Sequence, residues 1–517
     1  PGGSLQRPGD RGGGRPGRRP RRLVGKPNVN LAAILDAPTE KCPGRPAVVL
    51  GGEAWTYGEV AEAVTASAAR LTAEGLRPGQ RLPVVATSSP LTLVAVLAAA
   101  RQGAAGAALN PQLTIEELGR LARLAGLAGV GIADGRHAGS LRTALDAPGT
   151  VLTEADLPGA AADVAPQPVG DGEDEALVLF TSGTTGLPKA VPMSHGTLTG
   201  RIRSWCAPFD AQAPPVVRLM CVPMFHVGGL LGLLMSLYSG HTTVIQPRFD
   251  AGEWLGLVER HHVDAVFLVP TMLRRILDHP DFARTDLTSL RTVAYGAAPA
   301  PPDLVVRALD ALPHVAFSNV FGQTETLGAY TALAGDDYRH PVRRTSVGRA
   351  LPGVELRVVD PDSGSDAPAG EPGELWVRSA HNVTPGWLHT GDLARLDADG
   401  YVFPVGRLSD TINRGGEKLG PIEVETVLRA HPAVADAAVA ALPDTDLGER
   451  VGAAVVVCQP VLAEDLRAYC GEHLARFKVP DTLVLVERLP YDDLGKVRRR
   501  AVAALIAETA GQAERSP

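Results

Sequence analysis

Between residues 31 and 406 short apolar runs alternate with stretches of helical periodicity. VDAVFLVP (263–270), LRTVAY (290–295) and HVAFSNVFG (314–322) are strand-length runs with helical spacers between them. Strands apolar on both faces need helices on both sides, so the alternation predicts α/β layers around a largely parallel sheet. The Pro/Gly/Asp-rich stretch VVDPDSGSDAPAGEPGELWV predicts a hairpin-rich β region after them. Beyond FPVGRLSD (403–410) the pattern restarts. IEVETVLRAHPAVADAAVAALPD reads as helix then strand, VGAAVVV as strand, and AEDLRAYCGEHLARF as helix. That is a separate α+β module of about 110 residues, an ordinary domain size. A chain of 517 residues exceeds one core in any case. The expected division is a tail over 1–26, a large N-terminal domain over 27–406 and a small domain over 407–517.

One loop in the first domain carries chemistry. EALVLF (175–180) reads as a buried strand, and it runs directly into TSGTTGLPK (181–189). Glycines let a ligand approach the backbone closely, and successive backbone N–H groups form an anion-binding nest. The hydroxyls of Thr181, Ser182, Thr184 and Thr185 add donors, and Lys189 adds a cation, so the loop predicts phosphate binding. A flexible linker would not follow a buried strand and end in Pro-Lys. A nucleotide-binding P-loop requires G-x-x-x-x-G-K-[ST]. Here Pro188 replaces the second glycine and Ala190 follows Lys189, so that pattern fails.

Composition excludes several classes. Net charge is −7, with 45% hydrophobic and 21% charged residues, which gives no electrostatic footprint for nucleic acid. Cys42, Cys206, Cys221, Cys458 and Cys470 have neither metal nor redox spacing, so a cytoplasmic location is expected. LTLVAVLAAARQGAAGAAL is interrupted by Arg101 and Gln102, and VGGLLGLLMSLY is too short to cross a bilayer. Residues 1–26 are Gly/Pro/Arg-rich and nearly without apolar side chains, which predicts disorder and no secretory signal.

Further motifs follow in order: YGAAPAP (295–301), FGQTET (321–326), GWLHTGDLARLDADGY (386–401), GRLSDTINRGGEKLGPIEVE (406–425) and LPYDDLGKVRRR (489–500). Together with TSGTTGLPK they resemble the AMP-forming acyl-CoA synthetases of the adenylate-forming superfamily. The resemblance runs from residue 31 to the C-terminus. It implies two half-reactions, formation of an acyl-adenylate and pyrophosphate from a carboxylic acid and ATP, then transfer of the acyl group to CoA. It also implies a small C-terminal lid that rotates between them.

The resemblance assigns roles by position. Thr181, Ser182, Gly183, Thr184, Thr185, Gly186 and Lys189 match the phosphate cradle. Gly296, Ala297 and Ala298 match the backbone laid against adenine and the adenylate. Phe321 and Gly322 match the adenine-stacking position, with Phe where Tyr is usual. Thr324 matches an α-phosphate donor and Glu325 the ligand of Mg²⁺, a hard cation that suits a carboxylate. Asp392 and Arg407 match ribose contacts. His226, Val227, Gly228 and Tyr295 match the acyl pocket, Gly415, Gly416, Glu417 and Lys418 the CoA-facing lid segment, Ser409 the hinge, and Lys496 the catalytic lysine. DADGY reads as an ordinary turn.

Three departures stand out. Ser409 replaces the usual Asp or Lys. DDLGK replaces T-x-T-G-K, putting Asp492 and Asp493 close to Lys496. The segment between Asn382 and Gly386 is shorter than in the family. An enzyme that loads a carrier protein and a catalytically silent homologue are the alternative readings. A homodimer is compatible with this class. The small apolar segments HVGGLLGLLMSLY and YGAAP favour an apolar acyl or aryl acid over a dianion.

Overall fold

The strand-length runs of the central region become the middle of a nine-stranded sheet. The computed structural model describes residues 29–145, 150–156, 169–182, 188–492 and 495–513. The tail read as disordered, the loop residues Gly183, Thr184, Thr185 and Gly186, and Asp493 lie outside the described residues. The sheet order is Arg349–Ala350, Gly328–Ala334, Ala316–Gln323, Thr292–Gly296, Ala265–Leu268, Val217–Met220, Thr242–Ile245, Pro46–Leu50, Glu53–Thr56. Pairings from Ala316–Gln323 to Pro46–Leu50 are parallel, and both edges are antiparallel. A second, six-stranded sheet runs Val151–Leu152, Gly131–Ile132, Arg81–Val85, Ala105–Leu109, Glu175–Ser182, Pro188–Ser194.

The apolar stretch after Leu91 is divided between two elements. Helix Pro90–Arg101 is buried from Thr92 to Ala100, and strand Ala105–Leu109 is buried throughout. The helix is apolar all round because it packs two ways. Leu93, Val96 and Leu97 join the core that holds Val48 and Leu230, while Ala95, Ala98 and Ala99 join the core of Leu82 and Val84. Burying a side chain such as Leu97 contributes about 2 kcal/mol. Among the described residues no helix is long and apolar enough to cross a membrane. Helices Tyr57–Ala73 and Ile115–Ala125 begin with reciprocal capping boxes, Thr56 with Glu59 and Thr114 with Glu117.

The expected hairpin-rich region is a four-stranded antiparallel sheet, Val354–Val359, Gly373–Ser379, Trp387–Leu396 and Val402–Arg407. Asp397 accepts from the amides of Asp399 at 3.0 Å and Tyr401 at 2.8 Å, so DADGY is a turn. The C-terminal unit builds its own sheet from Glu417–Leu419, Ile412–Arg414, Gly448–Val457 and Val434–Asp444, with Thr482–Leu485 added to Gly448–Val457. Helices Pro421–Ala430 and Ala463–His473 cover its core. The molecule is thus α/β, with a large N-terminal part and a small C-terminal α+β part.

Candidate active site

Parallel strands Thr292–Gly296 and Ala316–Gln323 end side by side, at the carboxyl edge where α/β sheets bind ligands. Only small residues fit there. A Cβ at Gly296 would lie 2.1 Å from the Val320 carbonyl oxygen, and one at Gly322 would lie 2.0 Å from that of Gly328. Ala297 follows with φ 67°. For alanine this left-handed conformation costs roughly 1–3 kcal/mol, and such strain clusters at ligand sites.

Beyond Gln323 the chain makes the 3-10 turn Thr324–Thr326. The Thr326 hydroxyl accepts from the Gln323 amide at 3.1 Å and donates to the Gly328 carbonyl at 2.6 Å. The Val383 amide donates to the Glu325 carbonyl at 2.9 Å, and Asn382 Nδ2 donates to Val377 at 2.9 Å. Segment 382–386 therefore buttresses the turn that carries Thr324 and Glu325. Phe321 meets Tyr330 edge-on, with centroids 5.3 Å apart. The Tyr330 hydroxyl and Gln323 Nε2 are buried without a hydrogen-bond partner among the described residues. Burial, then the Asp392 charge, pushes the Tyr330 phenol well above its ordinary range.

Asp392 and Arg407 oppose each other across the antiparallel pair Trp387–Leu396 and Val402–Arg407. Arg407 Nε lies 2.9 Å from Asp392 Oδ1, and Asp392 is only 6% exposed. Burial raises the Asp392 carboxyl above its usual value, against the pull of Arg407 and Lys496. Lys496 comes from the C-terminal unit. It keeps exposed surface, yet packed protein crowds it on the cleft side. That crowding, with Arg407, pulls its ammonium below the ordinary lysine value, while Asp492, Asp392 and Glu325 oppose the shift. Burial and then the Lys496 charge lower His226 to about 4, so its ring is neutral at pH 7.

In the loop that carries them, Asp492 and Lys496 are tied to each other by two hydrogen bonds. The Asp492 carboxylate accepts from the Lys496 amide at 2.8 Å, and the Asp492 amide donates to the Lys496 carbonyl at 2.9 Å. Gly495 has φ 70°, and a Cβ there would lie 2.7 Å from Thr271 Oγ1. The loop thus docks on the first turn of helix Pro270–Leu277. Arg274 Nη1 to the Ala435 carbonyl at 3.5 Å and Lys418 Nζ to Asp362 at 3.1 Å also join the C-terminal unit to the rest.

Other predicted residues are placed as follows. Thr181 and Lys189 are register partners across the hairpin that flanks the loop read as a phosphate cradle, Ser182 ends its first strand, and Lys189 is exposed. Ala298 follows the strained Ala297. His226 is the N-cap of helix Val227–Tyr238, which Val227 and Gly228 open. Tyr295 is buried in the core, and its hydroxyl accepts from Tyr338 at 3.0 Å. Gly415, Gly416, Glu417 and Lys418 form the tip and second strand of the hairpin Ile412–Arg414 with Glu417–Leu419. Among the described residues no hydrogen bond or ion pair is seen between that hairpin and Lys496. Ser409 sits in the turn Leu408–Asp410, its Oγ donating to Asp410 Oδ1 at 3.2 Å.

Four contributors escaped the sequence reading. Gln323 lies inside a quoted motif, but nothing marked its amide as unpartnered. Tyr330 follows that motif by strand alternation alone. Thr271 acts from a segment with no motif signal, and Val383 from the segment that the sequence marked only as short.

The donors suit ATP and magnesium. Strained Ala297, the unpartnered Gln323 amide and Tyr330 phenol, and the Asp392–Arg407 pair surround one strand edge. No cluster of three metal-ligating side chains exists among the described residues. A single carboxylate at Glu325 matches Mg²⁺, which completes its shell from water and substrate phosphates.

Residues 35–388 match the profile of the AMP-binding enzyme family, and residues 423–496 match that of the AMP-binding enzyme C-terminal domain. A feruloyl-CoA synthase from Amycolatopsis sp is 36% identical over 480 residues, covering 89% of this chain and 96% of that protein. The o-succinylbenzoate coenzyme A synthetase of Bacillus subtilis, solved with ATP and a magnesium ion, has a TM-score of 0.77 at 26% identity. Its match covers 90% of this chain and 98% of the other. An amide bond synthetase from Marinactinospora thermotolerans has a TM-score of 0.82 at 29% identity, over 92% of this chain and 99% of that one. On these matches the chain belongs to the AMP-binding enzyme family, with that family's adenylate-forming fold.

Proposed function

We propose that this cleft activates a carboxylic acid with ATP and passes the acyl group to CoA. The observation that carries the reading is that Lys496, brought in by the C-terminal unit, lies close enough to Arg407, Asp392, Glu325 and His226 to act on them electrostatically, beside the N-cap of the helix that lines an elongated cavity. Adenylation drives a carboxylate onto a polyanion, so the site must offset charge and align the reacting atoms. Lys496 lies where it offsets negative charge between the acid and the α-phosphate. Thr324 donates to that phosphate. Thr181, Ser182, the loop after them and Lys189 hold the outer phosphates. Asp392 accepts from the ribose hydroxyls while Arg407 orients it. Phe321 supports the adenine, and the Ala297 and Ala298 backbone lies against the adenylate. Glu325 holds magnesium, whose chemistry is to neutralise phosphate charge and polarise the phosphoryl oxygens.

The second half brings the thiol of CoA to the acyl carbon and releases AMP. Gly415, Gly416, Glu417 and Lys418 line its approach once the lid, beginning at residue 407, has turned about Ser409. Neutral His226 closes the mouth of the acyl pocket. The five cysteines are free, which suits a reducing compartment such as the cytoplasm.

The test is acid-dependent exchange of pyrophosphate into ATP over a panel of aryl and alkyl acids, followed by mass analysis of the product with CoA. Exchange with one or more acids and a thioester product are expected. Absence of exchange with every acid ends the ligase reading. Exchange without a CoA thioester shifts the acceptor to a carrier protein or an amine, the latter being the chemistry of the amide bond synthetase relative.

A further inference from the structure

A cavity of about 310 Å³ lies between the nine-stranded sheet and helix Val227–Tyr238. That is the small end of the range for ligand pockets. Its lining is mostly small. Ala294 and Ser318 pave the sheet side, and Gly228, Gly229 and Gly232 form the helix side. Phe267 narrows it near Gly228, where an added Cβ would stand 3.3 Å from the ring. At one end the cavity is lined by Val222 and by Gly228, two residues after the N-cap His226, and it runs along the helix from there. On the sheet it spans the row of Ala294 and Ser318 and the row of Thr292 and Ala316. From Gly296 to Thr292 is four residues, about 13 Å of strand.

The far row contains Arg218, register partner of Thr243 and Ala265, and Arg218 lines the cavity. No carboxylate pairs with it among the described residues, and its Nε is buried without a hydrogen-bond partner. Its charge acts on His241 and Cys206, while the nearby Asp264 carboxylate accepts from the Val217 amide and faces Arg291. Burial and the Arg218 charge hold His241 at about 4, and burial raises the Cys206 thiol. A guanidinium in such surroundings is costly unless an acceptor meets it. Arginine stays charged and offers five N–H donors.

We infer that Arg218 is a specificity-determining residue, and that the acid this cleft activates is slim, apolar along its body and ends in an oxygen acceptor, a carboxylate or a phenol, that Arg218 binds. The inference rests on the ligase reading and names its substrate class. It differs from the view that the pocket is simply apolar, because Arg218 stands outside every motif. Gly232 supplies an independent handle. A Cβ there meets nothing within 4 Å, so a larger side chain enters the cavity without displacing backbone.

The experiment uses the full chain and three probes, para-carboxycinnamate, para-hydroxycinnamate and para-methylcinnamate. Each is measured both by calorimetric binding and by pyrophosphate exchange. The wild type is expected to bind one oxygen-tipped probe at least about tenfold tighter than the methyl probe, as a charge-assisted hydrogen bond permits. The two oxygen arms tell carboxylate from phenol. Arg218→Met should erase or reverse that ratio while retaining the methyl probe. Gly232→Leu should weaken binding of all three probes, with an unchanged urea midpoint showing that the fold is kept. Equal binding of the three probes, or a ratio unchanged by Arg218→Met, overturns the inference even where exchange is robust. Discriminating binding without any exchange supports it while ending the ligase reading, so the two failures are distinct.

Discussion

Lys496 and His226 share one corner of the cleft but hold charge differently. Crowding by packed protein and Arg407 pull the Lys496 ammonium below its ordinary value against Asp492, Asp392 and Glu325, whereas His226 is driven neutral by burial and by Lys496 itself. Lys496→Ala is expected to cut pyrophosphate exchange by roughly 10²–10³, the usual effect of losing one preorganised charge-stabilising group. An exchange rate within twofold of wild type would remove Lys496 from the adenylation step. His226 gives a stability signature with a definite sign. Its folded pKa, about 4, is below the unfolded value of 6.5, so the unfolded chain binds more protons between those limits. Its contribution is therefore complete above pH 6.5 and is lost as pH falls toward 4. His226→Gln removes that term, so its urea midpoint should fall less steeply than wild type between pH 6.5 and pH 4. Parallel acid limbs in the two proteins would refute the assignment. His241, also held at about 4, supplies a second acid-sensitive term that the variant leaves in place.

Glycines that look alike in the sequence do opposite work once elements pack. Gly296 ends a strand where a Cβ would meet the Val320 carbonyl at 2.1 Å, while Gly232 faces open space from mid-helix. Gly296→Ala should lower stability by roughly 1–3 kcal/mol, because overpacking shifts backbone. Gly232→Ala should raise it by about 0.5–1 kcal/mol, since alanine restricts the unfolded chain and suits a helix. Chemical denaturation of the pair checks the contrast, and equal midpoints would show that the strand end yields freely. This difference marks the limit of what was legible. Runs such as VDAVFLVP and AEDLRAYCGEHLARF announced a strand and a helix through local period, and both exist at Ala265–Leu268 and Ala463–His473. The motif glycines announced close approach, and Gly296 and Gly322 meet that expectation geometrically. Two separate α/β sheets were not legible, because sheet order joins strands far apart in sequence, as Pro46–Leu50 beside Thr242–Ile245. Tyr330, Thr271 and Arg218 were equally silent, since their meaning is a missing or distant partner rather than a pattern. Asp492 stands out in the sequence only as an acid close to Lys496, yet its carboxylate accepts from the Lys496 amide at 2.8 Å.

At the scale of the whole molecule, the observed arrangement brings Lys496 to the cleft and leaves the Gly415–Gly416 tip elsewhere. Gly495 against Thr271, Arg274 on Ala435 and Lys418 on Asp362 hold it so. The last two are exposed polar contacts, which contribute little each and so offer little resistance to the proposed turning. The proposed turning point at Ser409 lies within the 3-10 turn Leu408–Asp410. Its N-cap, Arg407, has φ −118° and ψ 144°, the extended conformation a residue before proline prefers. Leu408 is therefore a site where proline fits the observed state as a first helical residue, and its side chain is 42% exposed. Leu408→Pro fixes φ beside the hinge and so favours the arrangement seen over its alternative. Pyrophosphate exchange should stay within a few-fold of wild type. Thioester formation from a supplied acyl-adenylate and CoA should fall by an order of magnitude or more, because that half needs the lid turned. Lys496→Ala should show the reverse pattern, slow exchange with thioester formation spared. Both half-reactions are measured separately in both variants. Equal losses in the two halves for each variant would mean that one fixed arrangement serves both, and that the hinge reading of Ser409 is wrong.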